Sequence, residues 1–342
     1  MMEAIQPRTK NDRGGMATSR DVAKLARVSQ ATVSRVISGG PVSQATRDRV
    51  VAAMDAVGYV PDLGARAMKT GITNTIGVVV DDLANPFYPY LLDALTAALD
   101  EAGKKVSLWT SNGRLNEAAL DAMASRSVDG VIFTTVVETS EMLKAAIRRH
   151  SRFVLVHRGV EGLPADQVTT DNFDGGRTVA EFFVTGGHHA VAIIGANNSA
   201  STTRDRRRGF IHCLNSHGIE LPPEYIAAHD YTYDFGYESA GRLLDLPKPP
   251  TALFCTNDVS AMGALDRVRE RGLRVPDDVW VVGFDDIPMA SWRAYDLTSV
   301  RQPVDRLATI GTRLMLERLE DSTKPVEKIV LGCELVRRGT TG

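Results

Sequence analysis

Residues 18–39 read T-S-R-D-V-A-K-L-A-R-V-S-Q-A-T-V-S-R-V-I-S-G, and this run decides how the rest of the chain is understood. Thr18, three residues before Asp21, is a capping-box-like start for a helix carrying Val22, Leu25 and Ala26 inward. Arg27 and Val28 form the turn, and the Ser29 hydroxyl can cap a second helix. There Val33, Val36 and Ile37 recur at spacings of three and four, so they share a buried face. Gln30, Ala31, Thr32, Ser34 and Arg35 are left to face outward. Small polar residues and one arginine near a helix N-terminus suit a helix laid in the major groove of DNA. Ser43 opens a third helix with Val50, Met54 and Val57 as its apolar stripe.

Working outward, the words V-S-Q-A-T-R-D-R-V (42–50) and G-Y-V-P-D-L-G-A-R-A-M (58–68) follow in register. Together these runs resemble the LacI-type family of bacterial transcription regulators, which includes the lactose, galactose and purine repressors. The D-V-A-K-L-A-x-V-S-x-x-T-V-S-R-V-I-S-G word, Asp21 to Gly39, is among the more specific sequence signals for a DNA-binding head. The polar residues 1–17 read as a disordered arm, or as an extension upstream of a start at Met16, and the resemblance implies a helix-turn-helix head over 18–58, a hinge over 59–72 and an effector-binding, dimerising body over 73–342. It assigns DNA contacts to Ser29, Gln30, Ala31, Thr32, Ser34 and Arg35, and in the hinge to Arg66 and Met68. Pro61 and Gly64 disfavour a stable isolated hinge helix. In the family this segment becomes helical on the operator and wedges an apolar side chain, here Met68, into the minor groove. Asp62 stands where the family commonly has Asn.

Charge supports a polarised molecule. The net charge of −2 hides +5 in residues 1–72, with eleven Lys/Arg against six acids, and so −7 in the remainder. A basic head on an acidic body suits a polyanion held at one end. No stretch of 18 or more apolar residues appears. Residues 1–16 lack the apolar core of a secretory leader. Cys213, Cys255 and Cys333 are scattered and flanked by apolar residues, as expected of reduced thiols in a cytoplasmic protein.

From Ile76, short β-rich runs alternate with helix-length segments: 76–80, 106–109, 130–134, 153–157, 190–195, 252–256, 279–284 and 329–335. This many strands predict an α/β body of two doubly wound parallel sheets. Their order resembles a periplasmic-binding-protein-like core. That resemblance places one lobe at about 73–172 and 299–323 and the other at about 173–298 and 324–342. The chain then crosses near 171–174, 297–302 and 322–327, and the lobes rotate about a cleft. Family words continue through the body, among them D-L-A-N-P-F-Y (82–88), T-T-D-N-F-D-G-G (169–176), R-R-R-G-F (206–210) and V-P-D-D-V-W-V-V-G-F-D-D (275–286).

Residues just past strand C-termini face the cleft in such sheets. The expected effector contacts are Phe87, Tyr88, Thr110, Thr134 and Arg158 from the first lobe. Arg206, Tyr231, Asn257 and Asp285 come from the second. Aromatic faces cover apolar C–H surface, while Asp285 and Arg206 offer paired hydroxyl recognition. His157 replaces the Asp usual before Arg158.

Enzymatic signatures are absent: no G-x-G-x-x-G follows a strand, and no G-x-S-x-G elbow appears. His188-His189 has no partner at metal-ligand spacing, so neither metal nor cofactor is expected. The expected partners are a palindromic double-stranded DNA operator, a small effector of carbohydrate type and a second copy of the chain; no membrane is involved. The ending E-L-V-R-R-G-T-T-G carries no heptad tail, which points to a dimer.

Overall fold

The computed structural model describes residues 17–60, 71–80, 83–110, 117–125, 127–137, 139–195 and 200–342. The expected arm through residue 16 and the hinge residues 61–70, Arg66 and Met68 among them, lie outside the described residues. The chain divides into two compact units, Met1–Gly71 and Ile72–Gly342.

The first unit carries three helices, α1 (Ser19–Ala26), α2 (Gln30–Ile37) and α3 (Gln44–Val57). Asp21 starts α1 by accepting from both the backbone N–H and the hydroxyl of Thr18, at 2.9 and 2.7 Å. These bonds hold the Asp21 carboxyl below its usual range. Ser29 and Ser43 cap α2 and α3 by accepting from the N–H of Thr32 and Thr46, at 3.1 and 3.3 Å. One fully buried valine from each helix, Val22, Val33 and Val50, meets at the centre. Burying each contributes about 1.5–3 kcal/mol.

Leu25, expected inside, is instead 52% exposed, and Ala23 joins Val22 and Ala26 in the core. At roughly 100° per residue, Leu25 falls about a quarter turn from the centre of that stripe. Arg47 on α3 donates to the carbonyls of Val36 and Gly40, holding the C-terminal end of α2 in place.

The second unit is built on two six-stranded sheets. The first contains β1 (Thr75–Val80), β2 (Lys105–Thr110), β3 (Gly130–Phe133), β4 (Phe153–His157), β5 (Asp166–Thr170) and β11 (Lys328–Leu331), in the order β11-β5-β4-β3-β1-β2. The second contains β6 (Val191–Ile194), β7 (Ile226–Ala227), β8 (Ala252–Cys255), β9 (Trp280–Asp285), β10 (Thr298–Arg301) and β12 (Glu334–Val336), in the order β12-β10-β9-β8-β6-β7. All neighbours run parallel except β12, which pairs antiparallel with β10.

The sequence reading lacked β5 and β7 altogether, and two further assignments differ from it. Thr298–Arg301 was expected to start the return to the first lobe, but it pairs with β9 in the second sheet. The single run at 329–335 is two strands. Residues 328–331 lie beside β5 in the first sheet and 334–336 beside β10 in the second. The chain therefore changes sheets at Gln302–Pro303 and at Gly332–Cys333, and not at 322–327. A run of apolar residues specifies strand, but nothing local in it says which sheet receives each half.

Helices α4 (Phe87–Glu101), α5 (Glu117–Ala124), α6 (Glu141–Arg148) and α11 (Val304–Glu320) accompany the first sheet. Helices α7 (Asn172–Thr185), α8 (Ser201–Ser216), α9 (Tyr233–Leu244) and α10 (Asp258–Glu270) accompany the second. Two helix pairs cross at backbone contact distance. A Cβ on Gly176 of α7 would lie 1.9 Å from the Arg206 carbonyl oxygen of α8. One on Gly209 of α8 would lie 1.9 Å from that of Phe173. Gly236 of α9 and Gly263 of α10 repeat the arrangement against Ser260 and Tyr233, at 2.0 and 2.1 Å. The first crossing sets where Arg206 stands.

Candidate DNA-reading face and ligand cleft

On α2, Ala31, Ser34 and Arg35 are exposed, and Thr32 is half-buried beside the capping Ser29. Gln30 is exposed, but its amide donates to the Ser19 hydroxyl at 2.7 Å, which braces the start of α2 against α1. The outward face is therefore the one read from the sequence, with Gln30 and Ser29 partly committed to local structure. Arg35 contributes the face's cation. Its side chain makes no hydrogen bond or ion pair among the described residues.

In the second unit a cavity of about 410 Å³ opens between the lobes. Seven of the nine expected effector contacts line it: Phe87, Tyr88, Arg158, Arg206, Tyr231, Asn257 and Asp285. Thr110 and Thr134 are not among the described residues lining it. The Thr134 hydroxyl is buried and donates to the Val79 carbonyl at 2.9 Å, tying β3 to β1. Sequence reading missed Thr202 and Thr203 at the start of α8, and Asp230, Thr232, Tyr233 and Asp234 before and within α9. The dense polar-aromatic run H-D-Y-T-Y-D at 229–234 was the available signal.

Backbone strain marks both walls. His157 ends β4 with φ 76°, and Asp285 ends β9 with φ 114°. Side chains other than glycine seldom adopt such conformations, which concentrate at functional sites. His157, which replaces the family's usual Asp, lines the cavity with its ring centroid 4.4 Å from that of Phe87. Burial, with Arg158 and Arg206 nearby, drives its pKa well below the usual value, so the imidazole is neutral.

Arg206 is held from four directions. Its Nε donates to Asn172 Oδ1 at 2.8 Å and its Nη1 to the Thr256 carbonyl at 2.5 Å. Nη1 also lies 3.3 Å from Asp285 Oδ1, and the guanidinium stacks 3.6 Å from the Phe284 ring centroid. Burial raises the Asp285 pKa to about 6, against the opposing pull of Arg206. The carboxyl is thus largely ionised at neutral pH. Gln302, on the crossing segment, donates to Asp285 Oδ1 at 2.8 Å and accepts from Thr170 at 2.7 Å. One side chain thereby joins a strand end of each lobe.

Asn257 lines the cavity and also has structural partners. Its Nδ2 donates to the Tyr231 carbonyl at 2.9 Å, and its Oδ1 caps α10 through Ser260 N–H at 3.2 Å. It positions Tyr231, whose hydroxyl lies 2.8 Å from that of Thr203. On the first lobe, Arg158 Nη2 donates to the Tyr88 hydroxyl at 2.7 Å. The cleft can thus present aromatic faces, a carboxylate and two guanidiniums to one small molecule.

Elsewhere, His188 is structural: its ring lies 4.4 Å from Trp280 and its Nδ1 is 2.8 Å from the Thr251 hydroxyl. Glu181, Cys213 and His217 bring ligand-type atoms within 4.8 Å of one another. Burial and the Glu181 carboxylate push the Cys213 thiol up to about 11, so it stays protonated. Among the described residues no helix is long and apolar enough to cross a membrane.

Comparison with known proteins agrees with this geometry. Residues 18–62 match the model of bacterial regulatory proteins of the lacI family, and residues 180–341 match the periplasmic binding protein-like domain. The HTH-type transcriptional regulator DegA of Bacillus subtilis (strain 168) is 33% identical over 330 residues, covering 95% of this chain and 98% of its own length. The structure of the transcriptional regulator CelR–cellobiose complex superposes with a TM-score of 0.74 at 31% identity, covering 95% of this chain and 99% of that one. The lac repressor dimer bound to operator and the anti-inducer ONPF gives 0.84 at 26% identity, covering 96% and 100%. A capped helix-turn-helix head and a two-lobed body with a polar cleft, matched over 95–96% of the chain by such relatives, make this chain a DNA-binding transcription regulator of the LacI family.

Proposed function

We propose that the chain represses transcription as a homodimer bound to a palindromic operator, and that a carbohydrate in the cleft switches its affinity for that operator. The observation carrying this reading is the cleft itself, with Arg158 on the wall of one lobe and Arg206 and Asp285 on the other, and Gln302 tying Asp285 to Thr170 across the lobes. A ligand that touches both lobes can favour one lobe arrangement, and only such differential binding moves the equilibrium. Ser29, Gln30, Ala31, Thr32, Ser34 and Arg35 are assigned to the major groove, and Arg66 and Met68 to the minor groove. The effector is assigned to Phe87, Tyr88, Arg158, Arg206, Tyr231 and Asp285, with Asn257 as a positioning residue. Thr110 and Thr134 are not carried forward.

The direct test is to select an operator from random duplex DNA with the purified full chain, then titrate sugars into the complex. Sequence-selective binding shifted by at least one sugar is expected. Binding indifferent to sequence would remove the regulatory reading. Arg35→Ala is expected to relax preference at one symmetric base position, since a bidentate arginine–guanine pair discriminates by about 1–3 kcal/mol. An even loss of affinity across all sequences would make Arg35 a phosphate contact only. Sedimentation should show a dimer whose two heads occupy half-sites of one palindrome. A stable monomer at micromolar concentration would overturn the assembly.

A further inference from the structure

The charges lining the cleft define the effector more narrowly, on the footing of the switching role proposed above. Arg158 is 9% exposed, and its donors go to uncharged oxygens only: the Tyr88 hydroxyl at 2.7 Å and the Thr135 carbonyl at 3.4 Å. Its Nε has no partner, and no carboxylate lies within ion-pair distance of it among the described residues. Arg206 differs, because Asp285 faces it at 3.3 Å. His157, next to Arg158 in the cavity wall, keeps its Nδ1 without a partner and is neutral. Among the described residues the buried floor of the cleft therefore holds two guanidiniums against one carboxylate, an excess of one positive charge.

A buried guanidinium without a counter-ion is costly, and a ligand that supplies the anion removes that cost as it binds. The arginine fork matches the paired oxygens of a carboxylate or a phosphate, so the charge of the floor decides between them. We infer that the effector is a monoanionic sugar acid, its carboxylate held by Arg158 and its hydroxyls shared between Asp285 and Arg206. A phosphate dianion exceeds the floor's charge by one. The remaining acids of the lining, half-buried Asp230 and exposed Asp234, stand at the watery mouth, where solvent and salt weaken their fields. The aromatic rings of Phe87 and Tyr231 are left for the C–H face of the sugar.

Calorimetry on the full chain tests this with D-glucuronate, D-galacturonate and D-gluconate as ligands. Each is measured against its neutral parent, D-glucose or D-galactose, and against glucose 6-phosphate at one ionic strength. At least one acid is expected to bind roughly 100-fold more tightly than its neutral parent and than the phosphate, the scale of a desolvated charge-assisted contact. Arg158→Gln should erase that preference and Arg158→Lys should keep part of it. If Arg158→Gln does not fold, the wild-type chain decides alone, through the acid against its uncharged methyl ester. A neutral sugar bound as tightly as its acid overturns the inference; so does tightest binding of the phosphate, or binding of none of the three acids. The two readings fail separately. An acid that binds without moving operator affinity refutes the switch and keeps the sugar acid, and a neutral sugar that binds and releases DNA does the reverse.

Discussion

Gly176→Val is expected to lower the melting temperature of the chain by roughly 6–12 °C, the equivalent of about 3 kcal/mol in a body of this size. The reason is steric and local. The position a Cβ would take is 1.9 Å from the Arg206 carbonyl oxygen, and that oxygen belongs to helix backbone. Backbone cannot rotate away as a side chain can, so α7 and α8 must separate. Separation also opens the packing of Val179, Phe183 and Phe210, which are buried under the two helices. Gly332→Ala is the control, because nothing lies within 4 Å of its Cβ position. Its melt should match the parent's. If Gly176→Val also melts within about 1 °C of the parent, the helices do not cross this closely.

The Arg206–Asp285 pair gives the second large effect. Arg206→Met should destabilise the body by about 3–5 kcal/mol, because it leaves the Asp285 carboxylate buried and unpaired. The double variant Arg206→Met/Asp285→Leu should recover most of that loss, since a buried ion pair exchanged for apolar packing is often neutral or better. Neither variant should respond to ligand. Denaturant unfolding of the parent, both single variants and the double variant reads the coupling directly. Additive losses would show that the 3.3 Å contact between the two side chains carries no energy. The asymmetry also warns against removing Asp285 alone to test ligand contact, because the stranded guanidinium of Arg206 would mask the result.

Much of this was legible in the sequence, for identifiable reasons. The head was readable because its caps are local: Ser29 and Ser43 each act within three residues, and one short-range pattern fixes each helix. Leu25 was misplaced because an eight-residue helix offers too few positions to centre its stripe. The cleft residues at strand ends, Arg158 and Asp285, were legible because parallel sheets place their ligands there. What could not be read was partnership across long separations. Thr134 looks available in the sequence, and only the fold shows its hydroxyl spent on Val79, 55 residues away. Gln302 lay in a stretch read as a simple crossing, and its link to Thr170 spans 132 residues. His157 looked like a lost acceptor. Its neighbours show why a neutral ring there matters, since it leaves Arg158 without a counter-ion.

The exchange of strands near the end of the chain has a consequence for how the protein is made. Strands β6 to β10 are contiguous in sequence, so the second sheet lacks only its edge strand β12 once residue 301 has left the ribosome. The first sheet begins earlier, yet at that point it still lacks both a covering helix and an edge strand. It waits for α11, which brings Leu307, Ala308, Leu314 and Met315 to its core, and for edge strand β11. At about 5–20 residues per second, a nascent chain spends several seconds with a head and a nearly complete second lobe while the first lobe stays uncovered. A stop codon falling between residues 303 and 314, before α11 has delivered its core residues, would not yield a shortened regulator. It would yield a chain with its apolar first core open, a substrate for chaperones and proteases.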